Sequence, residues 1–361
     1  MRPLEIFIPL ILTVYLLWPL VTGRRRPQAV GILPAFALVV TGSHANVEGL
    51  RWQMYPLYAL SVIFFFASLP AFMKARLNPD APARPQGAAL AGTLAALLVL
   101  AAATALPALL PVPQVAAPRG PYPVGTVTYV LTDDTRRELY SGKDEPRKFM
   151  MQVWYPAKPA LGAKRAPWMP NADKVAPAIA TYIRLPGFFL DHLVYAKSDA
   201  YADAPLDPSG GPYPVLIFSH GWNGFRAQST FLMQDLASHG YIVVGMEHPY
   251  GSVLTVFPDG QVAANNPTAL PDGTPDDEYE AAARLLVDQW SRDMAYALDT
   301  LTQRNANDPD GRFTGMLDLA RVGALGHSTG GGASIQFCGS DPRCKAVFPL
   351  DPYMRPVSQQ V

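Results

Sequence analysis

Long apolar runs dominate the first 112 residues of the chain. Residues 6–23, 53–73 and 88–112 contain no charged side chain, and each run is long enough to cross a bilayer core of about 30 Å. A fourth apolar run, residues 30–42, is shorter, and its length suits a re-entrant or interfacial segment as well as a span. The pattern predicts an all-α transmembrane region over residues 1–112.

The positions of basic residues predict how this region is oriented. Two loops are rich in positive charge. The loop after residues 6–23 contains Arg24, Arg25 and Arg26, and the loop after residues 53–73 contains Lys74, Arg76 and Arg84. The loop between them, residues 43–52, has only Arg51. The positive-inside tendency places both basic loops in the cytoplasm, which requires residues 30–42 to cross as well. We therefore expect a multi-pass protein of the cell membrane, with four spans and both chain termini outside.

The first apolar run differs from a cleaved signal peptide. A signal peptide carries its positive charge before the apolar stretch, whereas here the arginines follow it. We expect this run to be retained as part of the anchor.

The pattern changes after a proline-rich linker, residues 113–123. Short apolar runs typical of strands then alternate with helical patterns. The predicted strands are residues 126–131, 149–155, 214–219, 241–246, 321–325 and 346–350, and the predicted helices are residues 227–239, 276–304 and 330–337. This alternation predicts a mostly parallel sheet with crossover helices, an α/β domain over residues 124–361.

Composition excludes several kinds of partner. Lysine plus arginine equals aspartate plus glutamate at 29 each, so no basic excess points to nucleic acid. The two cysteines, Cys338 and Cys344, are too few for a zinc site or a disulfide framework, and they fit one disulfide or two free thiols equally well. We expect no cofactor and no metal.

A serine in a glycine-flanked turn is the strongest chemical signal. Residues 326–330 read Gly-His-Ser-Thr-Gly, with a predicted strand before them and a small-residue helix start after them. In this strand-turn-helix setting the G-x-S-x-G pattern lifts the serine hydroxyl to the end of the sheet. The pattern predicts Ser328 as a nucleophile.

Two further segments complete the predicted site. The strand 214–219 runs into His220-Gly221-Trp222, where the backbone N–H of Trp222 is the natural partner of the N–H of Thr329 in an oxyanion hole. A hydrogen-bonding role in this loop is predicted for His220. Asp351 ends the strand after the nucleophile and is the predicted triad acid, with a plain turn residue as the alternative.

Several motifs together resemble the platelet-activating factor acetylhydrolase family, in its plasma and type II intracellular lineage. They are SHG-x-x-x-FR at 219–226, LASHG at 236–240, EH-x-x-GS at 247–252, GHSTGG at 326–331 and LDPYM at 350–354. The resemblance covers about residues 118–355. It implies an α/β-hydrolase fold and a calcium-independent esterase that removes short or oxidised acyl groups from phospholipid-like esters. It also implies Ser328 as nucleophile, Asp351 as acid, and Trp222 and Thr329 as oxyanion donors.

The base of the triad is missing from this pattern. In this fold the histidine follows the acid along the chain, yet none of the six histidines follows Asp351. Among them only His192, in the insertion before the oxyanion strand, is kept open as a base. We expect the triad histidine beyond Val361, which would make the domain C-terminally incomplete and the chain poorly active alone.

Two alternatives to the lipid esterase stay open. The first is a non-catalytic, membrane-anchored binding protein that keeps the hydrolase shape. The second is a cutinase-like or polyester-hydrolase-like esterase, because such enzymes share the scaffold and the same serine chemistry.

Overall fold

The chain forms two compact units, Met1–Pro113 and Gln114–Val361. The computed structural model describes residues 1–22, 26–77 and 86–358. Arg24, Arg25 and Arg84, on which the predicted orientation partly depends, lie outside the described residues, as do the side chains of Lys74 and Arg76.

The first unit is built from helices. They are α1 (Pro3–Thr22), α2 (Gln28–Gly31), α3 (Leu33–Val47), α4 (Tyr55–Leu77) and α5 (Gln86–Leu109), with a 3₁₀ turn at Trp52–Met54. Four stretches are long and apolar enough to cross a membrane, namely Pro3–Thr22, Gln28–Val47, Trp52–Met73 and Leu90–Leu109. The run that looked short in the sequence belongs to a stretch of 20 residues, because the helix continues past Gly42 through polar residues.

Ionic side chains join the helices of this unit where α1 begins and α3 ends. Glu5 is fully buried and accepts two hydrogen bonds from Arg51, at 2.7 and 2.9 Å, and one from the Arg2 side chain at 2.9 Å. Arg51 also donates to the carbonyl of Pro107 at 3.2 Å, near the end of α5. A buried carboxylate is costly unless it is paired in this way, so these contacts fix how the helix ends meet.

The second unit is an eight-stranded mixed sheet with helices. The strands are β1 (Val124–Arg137), β2 (Pro146–Pro156), β3 (Arg165–Pro167), β4 (Lys197–Ala202), β5 (Tyr213–Ser219), β6 (Ile242–Glu247), β9 (Leu317–His327) and β10 (Cys344–Leu350), and β7 (Leu254–Val256) and β8 (Val262–Ala264) form a separate hairpin. The helices are α6 (Ala172–Tyr182), α7 (Thr230–Ser238), α8 (Asp276–Ala306) and α9 (Thr329–Ser340), and 3₁₀ turns lie at Gly187–Tyr195, Pro208–Gly210 and Pro267–Ala269.

The strand order is β10-β9-β5-β6-β2-β1-β4-β3. Strands β10, β9, β5 and β6 are parallel, whereas β2 is antiparallel to both β6 and β1. The carboxyl ends of the four parallel strands therefore meet at one edge of the sheet, which is where ligands bind in open α/β sheets.

Alternating side chains of the central strands bury both faces of the sheet. Val215 and Ile217 of β5 belong to the core that contains Trp290 of α8, while Phe218 packs in a second core with Met233 of α7. This two-residue alternation explains why the central strands read as continuous apolar runs.

A disulfide between Cys338 and Cys344 joins the last turn of α9 to the start of β10. The sequence left this pairing open against two free thiols. Strand β10 is at the edge of the sheet and pairs only with β9 among the described strands, and its Phe348 side chain is 65% exposed.

Several element boundaries differ from the sequence prediction. Helix α7 begins at Thr230 rather than at residue 227, because residues 227–229 belong to a turn in which the Gln228 N–H bonds the Phe225 carbonyl. The short strands β3, β4, β7 and β8 had no sequence prediction. Their pairing depends on partners distant in sequence, which a local pattern does not reveal.

Candidate active site

Ser328 occupies a sharp turn between β9 and α9. Its backbone has φ 52° and ψ −121°, a combination that non-glycine residues rarely adopt. The Ser328 N–H donates to the Leu350 carbonyl at 3.1 Å, and its own carbonyl accepts from the N–H groups of Gly332 and Tyr353. Strain of this kind costs about 1–3 kcal/mol and persists only where surrounding contacts impose it, as they commonly do at active sites.

The glycine after the nucleophile allows α9 to lie against the loop that follows β5. A β-carbon built on Gly330 would stand 2.1 Å from the His220 carbonyl oxygen and 2.3 Å from that of Ser219. No side chain fits at that distance, so the tight approach of helix and loop explains the second glycine of the motif.

The loop His220–Gly224 runs beside the nucleophile. A β-carbon built on Gly221 would lie 3.2 Å from the β-carbon of Ser328. The Gly221 carbonyl accepts from the His220 ring at 2.7 Å and from the Gly224 N–H at 2.9 Å, while the Asn223 N–H donates to Gly251 at 2.9 Å. These hydrogen bonds fix Gly221 and Asn223, the residues on either side of Trp222.

The two N–H groups expected to form an oxyanion hole lie on this loop and on α9. Within the described residues, the Trp222 N–H has no hydrogen-bond acceptor. Thr329 is the first residue of α9. The N–H groups in the first turn of a helix have no intrahelical partners, and the positive end of the helix dipole lies there. Both N–H groups can therefore donate hydrogen bonds to an anionic oxygen that develops beside Ser328.

Asp351 follows β10 at the same edge of the sheet. Leu350, the last residue of β10, is in register with His327, so the residues that follow the two strands, Asp351 and Ser328, are at the same end of the sheet. Asp351 has φ 43° and an exposed side chain, and its carboxylate makes no hydrogen bond or ion pair with any described residue.

No histidine in the described part of the chain hydrogen-bonds the Ser328 hydroxyl. His192, the residue that the sequence left open as a base, is buried within the 3₁₀ segment Gly187–Tyr195. His239 is exposed, and its ring nitrogen lies 2.8 Å from the Asp235 carbonyl at the end of α7. His327 has its Nδ1 atom buried without a hydrogen-bond partner among the described residues.

Another serine, histidine and aspartate meet beneath the loop. The Ser219 hydroxyl lies 2.9 Å from Nε2 of His248, and Nδ1 of His248 lies 2.9 Å from the Asp293 carboxylate. Because the ionised carboxylate only accepts, Nδ1 donates to it and Nε2 accepts from Ser219. The His248 ring also stacks on Trp290 at 4.4 Å.

Burial and charge determine the protonation states of this buried set. Burial lowers the pKa of His248 to about 3, so its ring is neutral. Burial alone would raise the pKa of Asp293, but the Arg147 charge and hydrogen bonds from His248 and Arg147 hold it well below its usual range. Arg147 and Arg136 contact Asp293 at 2.7 and 2.9 Å.

Solvent access distinguishes the two serines. Ser219, His248 and Asp293 are completely buried, whereas Ser328 is half-buried. The buried set has the hydrogen bonds of a triad without a path for substrate. It therefore supports the loop rather than catalysing a reaction.

Sequence reasoning missed Asp293. A helical projection of α8 would have placed it, because Leu286, Trp290, Asp293 and Ala297 follow the spacing of one buried face. A carboxylate on an apolar face indicates a buried partner.

Among the described residues, one group of side chains has the spacing of metal ligands. Ligand atoms of Glu5, His44 and Glu48 in the first unit lie within 4.8 Å of one another. The guanidinium groups of Arg2 and Arg51 already pair with Glu5 there, and two cations disfavour a third.

The matching family model is that of platelet-activating factor acetylhydrolase, isoform II, over residues 110–361. A platelet-activating factor acetylhydrolase of Cavia porcellus is 30% identical over 259 residues, which is 67% of this chain and 56% of that protein. A probable 1-alkyl-2-acetylglycerophosphocholine esterase of Arthroderma benhamiae is 25% identical over 273 residues, covering 72% of this chain and 63% of that protein. The chain thus spans less than two thirds of the length of either relative.

A solved structure has the same fold as the second unit. The ferulic acid esterase from Streptomyces cinnamoneus superimposes with a TM-score of 0.52 at 27% sequence identity, covering 64% of this chain and 60% of that one. The mostly parallel sheet with crossover helices is thus the α/β-hydrolase fold of an esterase.

Proposed function

Since this chain belongs to the platelet-activating factor acetylhydrolase, isoform II, family, we propose that it is a serine ester hydrolase with Ser328 as its nucleophile. The observation that carries the proposal is the strained backbone of Ser328 at the β9–α9 turn, beside an N–H group without an acceptor in the described structure. A plain structural turn would not require a non-glycine residue in this conformation.

The chemistry follows from the geometry. The Ser328 oxygen attacks the ester carbonyl carbon, and the carbonyl oxygen becomes an anion that the Trp222 and Thr329 N–H groups stabilise. The tetrahedral intermediate then expels the alcohol, which leaves the acyl group on Ser328. Water attacks that acyl-enzyme in turn and releases the acid.

Asp351 is proposed as the acid that orients the histidine base of this triad. Its exposed carboxylate, without a partner among the described residues, is free to accept an imidazole N–H. The base itself is the one triad member that the described residues leave unassigned.

The proposed substrates are phospholipid-like lipids that carry a short or oxidised acyl ester. This rests on the name of the Arthroderma benhamiae relative, an esterase of 1-alkyl-2-acetylglycerophosphocholine. The four apolar helices support a membrane anchor, which would keep the site near such substrates.

The direct test is turnover of p-nitrophenyl acetate by the protein expressed from its own reading frame. Ser328→Ala removes the attacking oxygen, so we expect the rate to fall by at least about a thousandfold. Ser340→Ala, an exposed serine at the end of the same helix, is the matched control and keeps the wild-type rate. Equal rates for wild type and Ser328→Ala would refute the assignment.

Acyl preference is tested separately. We expect 1-alkyl-2-acetyl glycerophosphocholine to be cleaved faster than its 2-palmitoyl analogue in mixed micelles. A preference for the palmitoyl ester, or for neither, would reject the proposed substrate class while leaving the Ser328 assignment intact.

A further inference from the structure

The His220 side chain helps to hold the loop that carries Trp222. Its ring is completely buried, and Nδ1 lies 2.7 Å from the carbonyl oxygen of the next residue, Gly221. Because a carbonyl only accepts, Nδ1 must carry the proton and donate it.

The other ring nitrogen confirms this tautomer. The backbone N–H of His248 points at Nε2 of His220 from 3.3 Å, and a backbone N–H can only donate. Nε2 therefore offers a lone pair and carries no proton. The Ser252 hydroxyl lies 2.9 Å from the same nitrogen, and burial lowers the pKa of His220, which keeps the ring neutral.

Peptide geometry passes this constraint on to the donor. The carbonyl of Gly221 and the N–H of Trp222 belong to one planar peptide unit, and in a trans peptide the two bonds point in opposite directions. A hydrogen bond that holds the carbonyl toward the buried ring thus turns the N–H away from it. Gly221 itself lies beside Ser328, and the Trp222 N–H that follows it is turned away from the buried ring.

We propose that His220 is a positioning residue that orients the oxyanion donor Trp222 through the Gly221 carbonyl. The buried network beneath it has the same purpose: Asp293 holds the His248 ring, and the His248 backbone holds the His220 ring. This proposal rests on the proposed function, because it takes Trp222 to be an oxyanion donor.

A matched pair of substitutions separates this role from a structural one. Asn at 220 places an amide N–H where Nδ1 stands, whereas Gln places its amide where Nε2 stands. We expect His220→Asn to keep kcat for p-nitrophenyl acetate within about threefold, and His220→Gln to lower kcat at least tenfold with KM little changed, since one oxyanion donor contributes about 10²–10³ in kcat.

Thermal unfolding of both variants supplies the comparison. Each substitution disturbs a buried hydrogen-bond network, so both midpoints of thermal unfolding should fall. The proposal holds if kcat depends on where the side-chain N–H of residue 220 stands and not on the unfolding midpoint. Equal losses of kcat in the two variants would overturn it. A wild-type rate in Ser328→Ala would instead overturn the proposed function, whichever way His220 behaves.

A second measurement does not depend on turnover. Protein labelled with ¹⁵N-histidine should show, at pH 7, neutral rings protonated at Nδ1, among them His248, and one of these signals should disappear in His220→Asn. Protonation of the His220 ring at Nε2 would contradict the proposal, whatever the kinetic result.

Discussion

At the scale of single residues, His248 shows how burial converts a titratable group into a pH-dependent contribution to stability. Its pKa is lowered to about 3 in the folded state, against about 6.5 in an unfolded chain. Between these values the unfolded chain binds a proton that the folded protein does not. The contribution of the neutral His248 ring to the free energy of unfolding is therefore fully present above pH 6.5 and is lost as the pH falls toward 3.

We expect the free energy of unfolding to fall between pH 7 and 5, with His248 contributing at most about 1.4 kcal/mol per pH unit. His248→Asn retains an N–H for Asp293 but does not titrate, so its slope should be shallower. Denaturant unfolding across this pH range measures both slopes. Equal slopes for His248→Asn and wild type would contradict this expectation.

How well the site could be predicted differs from residue to residue. Ser328, Thr329 and Trp222 could be proposed as site residues from the sequence because local motifs place them in turns after predicted strands. Asp293 was not, because its role depends on a histidine 45 positions away that only the folded chain brings to it. Local pattern finds backbone turns better than it finds long-range polar partners.

At the scale of elements, the contact between α9 and the loop after β5 leaves no room for a side chain. Gly330→Ala would place a β-carbon about 2.1 Å from the His220 carbonyl. We expect a loss of at least about 3 kcal/mol in unfolding free energy, or failure to fold. Gly187→Ala, where the new carbon meets Pro177 at 3.6 Å, is the matched control and should unfold like wild type in a thermal melt.

The disulfide ties the same helix to the edge strand β10. Closing this short loop restricts the unfolded chain and contributes roughly 2 kcal/mol. The double variant Cys338→Ser, Cys344→Ser should therefore melt about 4 °C lower. Wild-type protein in excess reductant should match the variant, and an unchanged midpoint in both would show that the bond contributes nothing.

The elements that could be predicted from the sequence are those with a clear local pattern of apolar residues. The buried strands β5, β6 and β9 and the long helix α8 were found from apolar pattern alone. The strand β4 was missed, because few of its residues are apolar and its place beside β1 depends on a partner about 75 positions earlier.

At the scale of the whole molecule, the chain joins a helical unit to an esterase-like unit, and their orientation across a membrane is a prediction. The basic loops favour an outward-facing second unit. The disulfide supports the same side, since such bonds persist in oxidising compartments.

Reporter fusions test this arrangement. Alkaline phosphatase fused after Pro118 should be active, because the enzyme matures only outside the cytoplasm, and a fusion after Arg84 should be inactive. Cytoplasmic reporters at the same two positions should give the reverse. An inactive phosphatase at Pro118 beside an active one at Arg84 would invert the topology.

The strained backbone at Ser328 has a consequence for how such a sequence would change over time. Glycine adopts a positive φ without the penalty that serine incurs, so the chain would gain stability from glycine at this position and lose its attacking oxygen. Stability and chemistry thus select for different residues at one site. If Ser328 is the nucleophile, as we propose, a descendant that had given up hydrolysis and kept only binding would be free to drift to glycine there.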